Sequence, residues 1–337
     1  MEETASHPRL YLGVESAPDF GDPRGELAAL LGGCGFFRLN WRGKISVTGK
    51  DRVRWLHNMV TNNVRDLPVN RGNYNFVLNA QGRILGDMYI YNRGESLVID
   101  TDCAQVEPLL TAMKRFIIMD KVEMNRVRPM MICFGICGPE AEHVLTANRF
   151  EVKGMDPLEI RELEAGMVIA RGPASKPGWY EIWLSMAEEG MTGIKLDAGA
   201  RGVGTQALEW WRILHGIPQY GQDIRDRDLP QETGQMQALS FTKGCYIGQE
   251  IVERIRSRGQ VHRKFAGFEF DGDLPAPGKV ESEGRTVAEI TSAVRVPSGS
   301  AEKNIGLGYV RREVAEAGPQ VDLGGQKARI VDLPFVI

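Results

Sequence analysis

The chain has 337 residues, 42% of them hydrophobic and 25% charged, and its 41 Lys+Arg against 44 Asp+Glu leave a formal net charge of −3. That balance belongs to a globular chain with a real core, and it excludes a general nucleic-acid binder, which needs a marked basic excess. The apolar runs, such as residues 130–136, fall far short of the roughly 20 residues that span a membrane, and the opening MEETASHPRL lacks the apolar core of a signal peptide, so no membrane partner and a cytoplasmic location are expected.

Five cysteines, at 34, 103, 133, 137 and 245, are odd in number and scattered, which argues against a disulfide framework. Cys133 and Cys137 lie in an apolar stretch without a second pair or histidines at ligand spacing, so they read as core and no metal is expected. In chain order, a Pro/Gly-rich lead-in of about 25 residues precedes an alternating strand–turn–strand pattern over 35–51, turning at Arg42-Gly43. A helix through Val53, Leu56 and Val60 follows. Gly43 to Lys50 fails the phosphate-loop spacing, and Asp51 stands where a Ser or Thr would bind magnesium.

Phe76–Leu78 and Ile84–Tyr91 predict a hairpin turning at Ala80–Gly82. Asp87 stands inside its second strand; it is either a buried acid that must be paired or used, or an outward-facing residue of an alternating strand. A helix over 106–116, β-structure over 121–136, a helix over 140–148 and strands at 160–169 and 180–184 complete an interleaved α+β order. Gly202, Gly204 and Ala207 match a dinucleotide pattern, but the preceding LDAGAR is no buried strand; a helix opened by Thr205 and burying Leu208, Trp211 and Leu214 explains them better. A long polar loop, 217–233, then leads to 239–264, LSFTKGCYIGQEIVERIRSRGQVHRK. Here Ile251, Val252 and Ile255 give a helical stripe that puts Cys245 near a helix N-terminus, where the dipole and Lys243 would favour a thiolate; a buried cysteine acting as a small hydrophobe is the alternative. Beyond 264, short strands and Gly/Pro turns predict an antiparallel barrel or sandwich.

The segment Lys243-Gly244-Cys245-Tyr246-Ile247-Gly248-Gln249-Glu250 matches K-G-C-[YF]-x-G-Q-E, the signature of the YgfZ family of folate-binding relatives of the glycine-cleavage T-protein. Gly216-Ile217-Pro218, Pro230-Gln231-Glu232-Thr233, Arg254 and Arg258-Gly259 flank it in the family's order, and the likeness to the T-protein extends over most of the chain. The resemblance implies an α+β fold of three domains around a central folate channel, with a C-terminal antiparallel β-barrel. The expected boundaries are 1–125, 126–261 and 262–337. It implies tetrahydrofolate as cofactor, iron–sulfur client or assembly proteins as partners, and a role in assembly or repair of iron–sulfur enzymes. The alternative is a folate-dependent aminomethyltransferase or demethylase. Cys245, Lys243 and Asp87 are the expected reactive residues. Tyr74, Asp87, Trp179, Glu181, Asp223, Tyr246, Gln249, Glu250 and Arg254 are the expected folate contacts, and the basic cluster Arg254, Arg256, Arg258, Arg263 and Lys264 suits the glutamate tail. One departure stands out: R-[LI]-E-A-G becomes Arg212-Ile213-Leu214-His215-Gly216, so the pterin-bonding glutamate is Leu214, and Asp223, Glu232 and Glu181 are the candidate substitutes.

Overall fold

The computed structural model describes residues 6–127, 131–185, 199–282, 284–322 and 327–336. A small hairpin, β1 (Arg9–Tyr11) and β2 (Val14–Ser16), precedes α1 (Pro23–Gly32), whose Asp22 side chain caps the Gly25 N–H with proline in the first turn. β3 (Gly35–Arg38), β4 (Arg42–Thr48), α2 (Arg52–Met59), β5 (Gly72–Leu78), β6 (Ile84–Asn92), β7 (Leu97–Asp102) and α3 (Cys103–Lys114) follow. Next come β8 (Glu123–Arg126), β9 (Met131–Cys137), α4 (Ala141–Ala147), β10 (Ile160–Glu162), β11 (Val168–Arg171), β12 (Trp179–Ser185), β13 (Arg201–Gly202) and α5 (Thr205–Leu214). The chain then runs through α6 (Gln249–Arg258), β14 (Arg263–Phe270), β15 (Gly278–Ser282), β16 (Arg285–Ser298), β17 (Ala301–Arg311), α7 (Arg312–Ala317), β18 (Gln320–Asp322) and β19 (Lys327–Val331).

These strands build three larger sheets, ordered β10-β11-β12-β9-β3-β13, β5-β6-β7-β4-β8 and β15-β16-β17-β14-β19-β18. Pairing in the last is antiparallel throughout, as the short alternating strands predict. Two compact units result: residues 1–75 with 88–208, and residues 76–87 with 209–337. In the first, Cys34, Phe134, Ile136, Val144, Ile169 and Ile182 form an apolar core beneath α4; in the second, Phe268, Phe270, Ile290 and Val310 form another. No described helix is long and apolar enough to cross a membrane.

Two expectations need correction. The strand–turn–strand order over 35–51 holds, but the turn lies over 39–42 and Arg42-Gly43 opens β4: Leu39 N–H bonds the Cys133 carbonyl at 2.8 Å, and β3 pairs with β9 while β4 pairs with β7 and β8. The single strand expected over 160–169 is a hairpin, broken where Gly166 takes a left-handed φ of 69° in a short 3-10 turn. The helix expected in place of the dinucleotide reading is α5, and Gly204 ahead of it serves packing. A Cβ on Gly204 would lie 2.3 Å from the Pro18 carbonyl oxygen, and its N–H donates to Glu26 Oε2 at 2.8 Å.

Candidate functional site

In the second unit the site begins at the tip of the β5–β6 hairpin. Asn79 Oδ1 accepts from the Gln81 and Arg83 N–H groups, both at 3.0 Å, which pins the turn and leaves Gly82 at φ 70°. Two glycines let α6 approach it closely: a Cβ on Gly82 would lie 2.7 Å from Ile251, and one on Gly248 would lie 2.5 Å from the Asn79 carbonyl oxygen. Gly248, at φ 81°, is the N-cap of α6. The helix therefore starts at Gln249, and Cys245, expected near its N-terminus, lies ahead of the N-cap and outside the first turn. Cys245 is exposed and free, which excludes the alternative of a buried packing cysteine.

The rest of the signature is tightly held. Tyr246 N–H donates to Gln249 Oε1 at 3.3 Å, and Gln249 N–H donates to the Tyr246 carbonyl at 3.2 Å. Lys243 is buried with its ammonium 4.9 Å from the Tyr246 ring centre. Tyr246 is itself 8% exposed, yet its hydroxyl has no hydrogen-bond partner among the described residues, and burial, followed by the Glu253 charge, pushes its pKa up to about 12. Gln231 repeats the pattern: its Nε2 donates to the Val252 carbonyl at 2.9 Å while its buried Oε1 has no partner. Glu250 and Arg254 are exposed.

Asp87 sits half-buried on the same face of β6 as Leu85. Tyr220 Oη donates to the Leu85 carbonyl at 2.9 Å, and burial, then the charges of Asp87, Asp226 and Asp228, raises that phenol to about 12. Tyr220 is thus bonded to the hairpin backbone within reach of the Asp87 charge.

The substitutes for the missing pterin carboxylate are occupied elsewhere. Leu214 is buried. Asp223 accepts from Thr291 Oγ1 at 2.5 Å, Ser292 Oγ at 2.7 Å, Arg212 Nη1 at 2.6 Å and the Gln219 N–H at 3.0 Å, which consumes all its lone pairs. Glu232 pairs with Arg263 at 3.1 Å, and Arg263 also holds Asp228 and Glu289, so that arginine leaves the basic cluster. Arg256 pairs with Glu253 at 2.8 Å, and the Arg258 side chain lies outside the described residues.

Within the first unit, Tyr74 is buried and packs on Tyr89 with ring centres 4.9 Å apart. Trp179, Glu181 and Trp183 alternate along β12. Glu181 Oε1 accepts from Trp179 Nε1 at 3.1 Å and Oε2 from Trp183 Nε1 at 3.0 Å, with Lys44 Nζ 3.9 Å from Oε2. Trp179 is a core residue against Phe37, ring centres 5.0 Å apart. Glu181 therefore anchors two indoles in a buried network. Lys44 and Arg42 continue that network to Asp100, the latter at 2.7 Å, and Arg42 reaches Asp102 at 2.8 Å. Sequence reasoning passed over this network, though Lys44 and Asp100 inside apolar strands were the signal for it.

The order of sheets and the fully antiparallel C-terminal sheet define an α+β T-protein fold. The crystal structure of the glycine cleavage system aminomethyltransferase T from Bartonella henselae matches it with a TM-score of 0.87, covering 99% of this chain and 95% of that one at 18% identity. Residues 8–243 match the GCVT N-terminal domain and residues 263–336 the glycine cleavage T-protein C-terminal barrel domain, so the chain belongs to the glycine cleavage T-protein family. It is similar to the aminomethyltransferase of Thermoanaerobacter pseudethanolicus, 26% identical over 88% of this chain and 84% of that one. That of Geobacillus kaustophilus is 28% identical over 96% and 93%.

Proposed function

We propose that the chain binds tetrahydrofolate and acts as a folate-dependent aminomethyltransferase, the activity for which its relatives are named. The observation that carries this reading is Asp87, half-buried on β6 beside the raised phenol of Tyr220, a carboxylate suited to hold a folate amine. The buried, unpartnered Tyr246 hydroxyl and Gln231 Oε1 fit a ligand that offers both donors and acceptors, as a pterin does. Bound folate would supply the amines that accept a one-carbon unit. Asp87 would orient them, and Tyr246 and Gln231 would hold a polar edge. With Leu214 at the usual glutamate position and Asp223 saturated, the pterin contact falls to these groups. Calorimetric titration with tetrahydrofolate, joined to an assay of methylene-tetrahydrofolate formation from an aminomethylated carrier protein, tests this. Absence of both binding and turnover overturns it.

A second reading, assembly or repair of iron–sulfur enzymes, is favoured by one feature, the exposed free thiol of Cys245 at the centre of the K-G-C-Y-I-G-Q-E segment. Complementation of a strain lacking its YgfZ-type protein separates the two. Growth that requires Cys245 supports the second reading, whereas turnover undiminished in Cys245→Ala leaves the thiol without a part in the first.

A further inference from the structure

The first unit encloses a cavity of about 300 Å³ whose wall has four cationic side chains, Arg38, Arg42, Lys44 and Arg126, and no carboxylate among the described residues. β3, β4 and β8 supply them. Lys44 is bonded to Asp100, and Arg42 spends its two terminal nitrogens on Asp100 and Asp102. Its Nε, however, is buried without a hydrogen-bond partner among the described residues. Arg126 is half-buried and makes no side-chain hydrogen bond or ion pair with a described residue. Counting Asp100, Asp102 and Glu181 behind the wall, four positive charges meet three negative ones, and two guanidinium groups keep donors unspent.

A buried donor without an acceptor costs free energy comparable to a lost hydrogen bond, so such groups point to a missing acceptor. Two further features favour an anion. Cys103, the first residue of the twelve-residue helix α3, lines the same cavity, which places the helix's positive end there. Burial, the largest cause, holds the Cys103 thiol above its ordinary pKa, and the Arg126, Arg42 and Lys44 charges pull against it.

We propose that this cavity binds a small molecule through an oxyanion group, phosphate or carboxylate, which accepts from Arg126 and from Arg42 Nε. At about 300 Å³ it is at the lower end for ligand pockets, which limits the occupant to a small metabolite. The proposal does not depend on folate binding.

Cys103 is the reporter. Its alkylation by iodoacetamide, read peptide by peptide by mass spectrometry so that exposed Cys245 does not interfere, is followed with rising inorganic phosphate or succinate at constant ionic strength set with chloride. Saturable protection of Cys103 by either anion is expected, phosphate alone marking a phosphorylated occupant and succinate alone a dicarboxylate. Arg126→Gln should weaken it about tenfold, and Arg126→Lys, which keeps the charge and loses the fork, by less. Equal rates in phosphate, succinate and chloride would overturn the site, as would protection unchanged in both Arg126 variants. If Arg126→Gln does not fold, the lysine variant alone decides.

Discussion

Asp223 in the second unit and Asp100 in the first are both buried carboxylates held by arginine, yet their surroundings differ. Asp223 receives four donors, two of them hydroxyls and one a backbone N–H, and its arginine, Arg212, also reaches Glu209 and the Ile217 carbonyl. Among the described residues Asp100 receives cations alone, Lys44 and Arg42, and Arg42 Nε meets no acceptor beside the cavity. A saturated cluster ties elements together; one with donors to spare next to a cavity has room for a ligand. The same residue types thus do structural work in one unit and offer binding chemistry in the other.

The largest effect should come from Asp223→Ala, which strands Arg212 among buried hydroxyls. A loss of about 3–5 kcal/mol in urea unfolding is expected, and a loss below about 1 kcal/mol would break the contrast by showing Asp223 to be peripheral. Glu181→Gln should cost about 1–3 kcal/mol, because the amide can accept from one indole only and leaves Lys44 with one carboxylate fewer. Near-ultraviolet circular dichroism should report Trp179 and Trp183 directly.

Acid tests the first cluster. Burial alone would raise the pKa of Asp100, but Arg42 and Lys44 outweigh it and hold the carboxyl below its ordinary value. A depressed carboxylate contributes stability that is present above the unfolded value of about 3.9 and lost as pH falls through the folded one. The urea midpoint of the wild type should therefore drop below about pH 4. Asp100→Asn should be less stable at neutral pH and show a flatter acid limb; an unchanged limb would remove Asp100 as its source.

At the hairpin, Asp87→Asn should weaken tetrahydrofolate binding about tenfold, measured by calorimetry, with little change in stability. The smallest effect belongs to Tyr246→Phe. Because the hydroxyl has no partner, its removal should leave stability within about 0.5 kcal/mol or slightly raise it. A clear loss would show that the hydroxyl is bonded in solution, and weakened folate binding at unchanged stability would place it at the ligand.

Periodicity and punctuation made much of the fold legible. The hairpin around Ala80–Gly82, the helices after Asp51 and Asp102, and the short C-terminal strands follow from alternation, helical stripes and Gly/Pro turns. The segment around Cys245 was legible through its resemblance to a family motif, and in the fold its Tyr246 and Gln249 bond each other within one local turn. The carboxylates were not. Asp223, Glu232 and Glu181 all looked available for a ligand, and only their hydrogen-bond donors, up to 69 residues away in the chain, show them engaged.

By itself the sequence determined which residues alternate, where the chain turns, and which segments carry the family's motifs, because these depend on neighbours within a few positions. The tertiary structure alone decided that β3 and β4 part to different sheets and that α6 begins after Cys245. It also decided that residues 76–87 pack with 209–337, and that Arg42 keeps an unspent donor. Each depends on which distant groups meet, since a backbone carbonyl or a carboxylate is satisfied by whatever donor the fold brings to it.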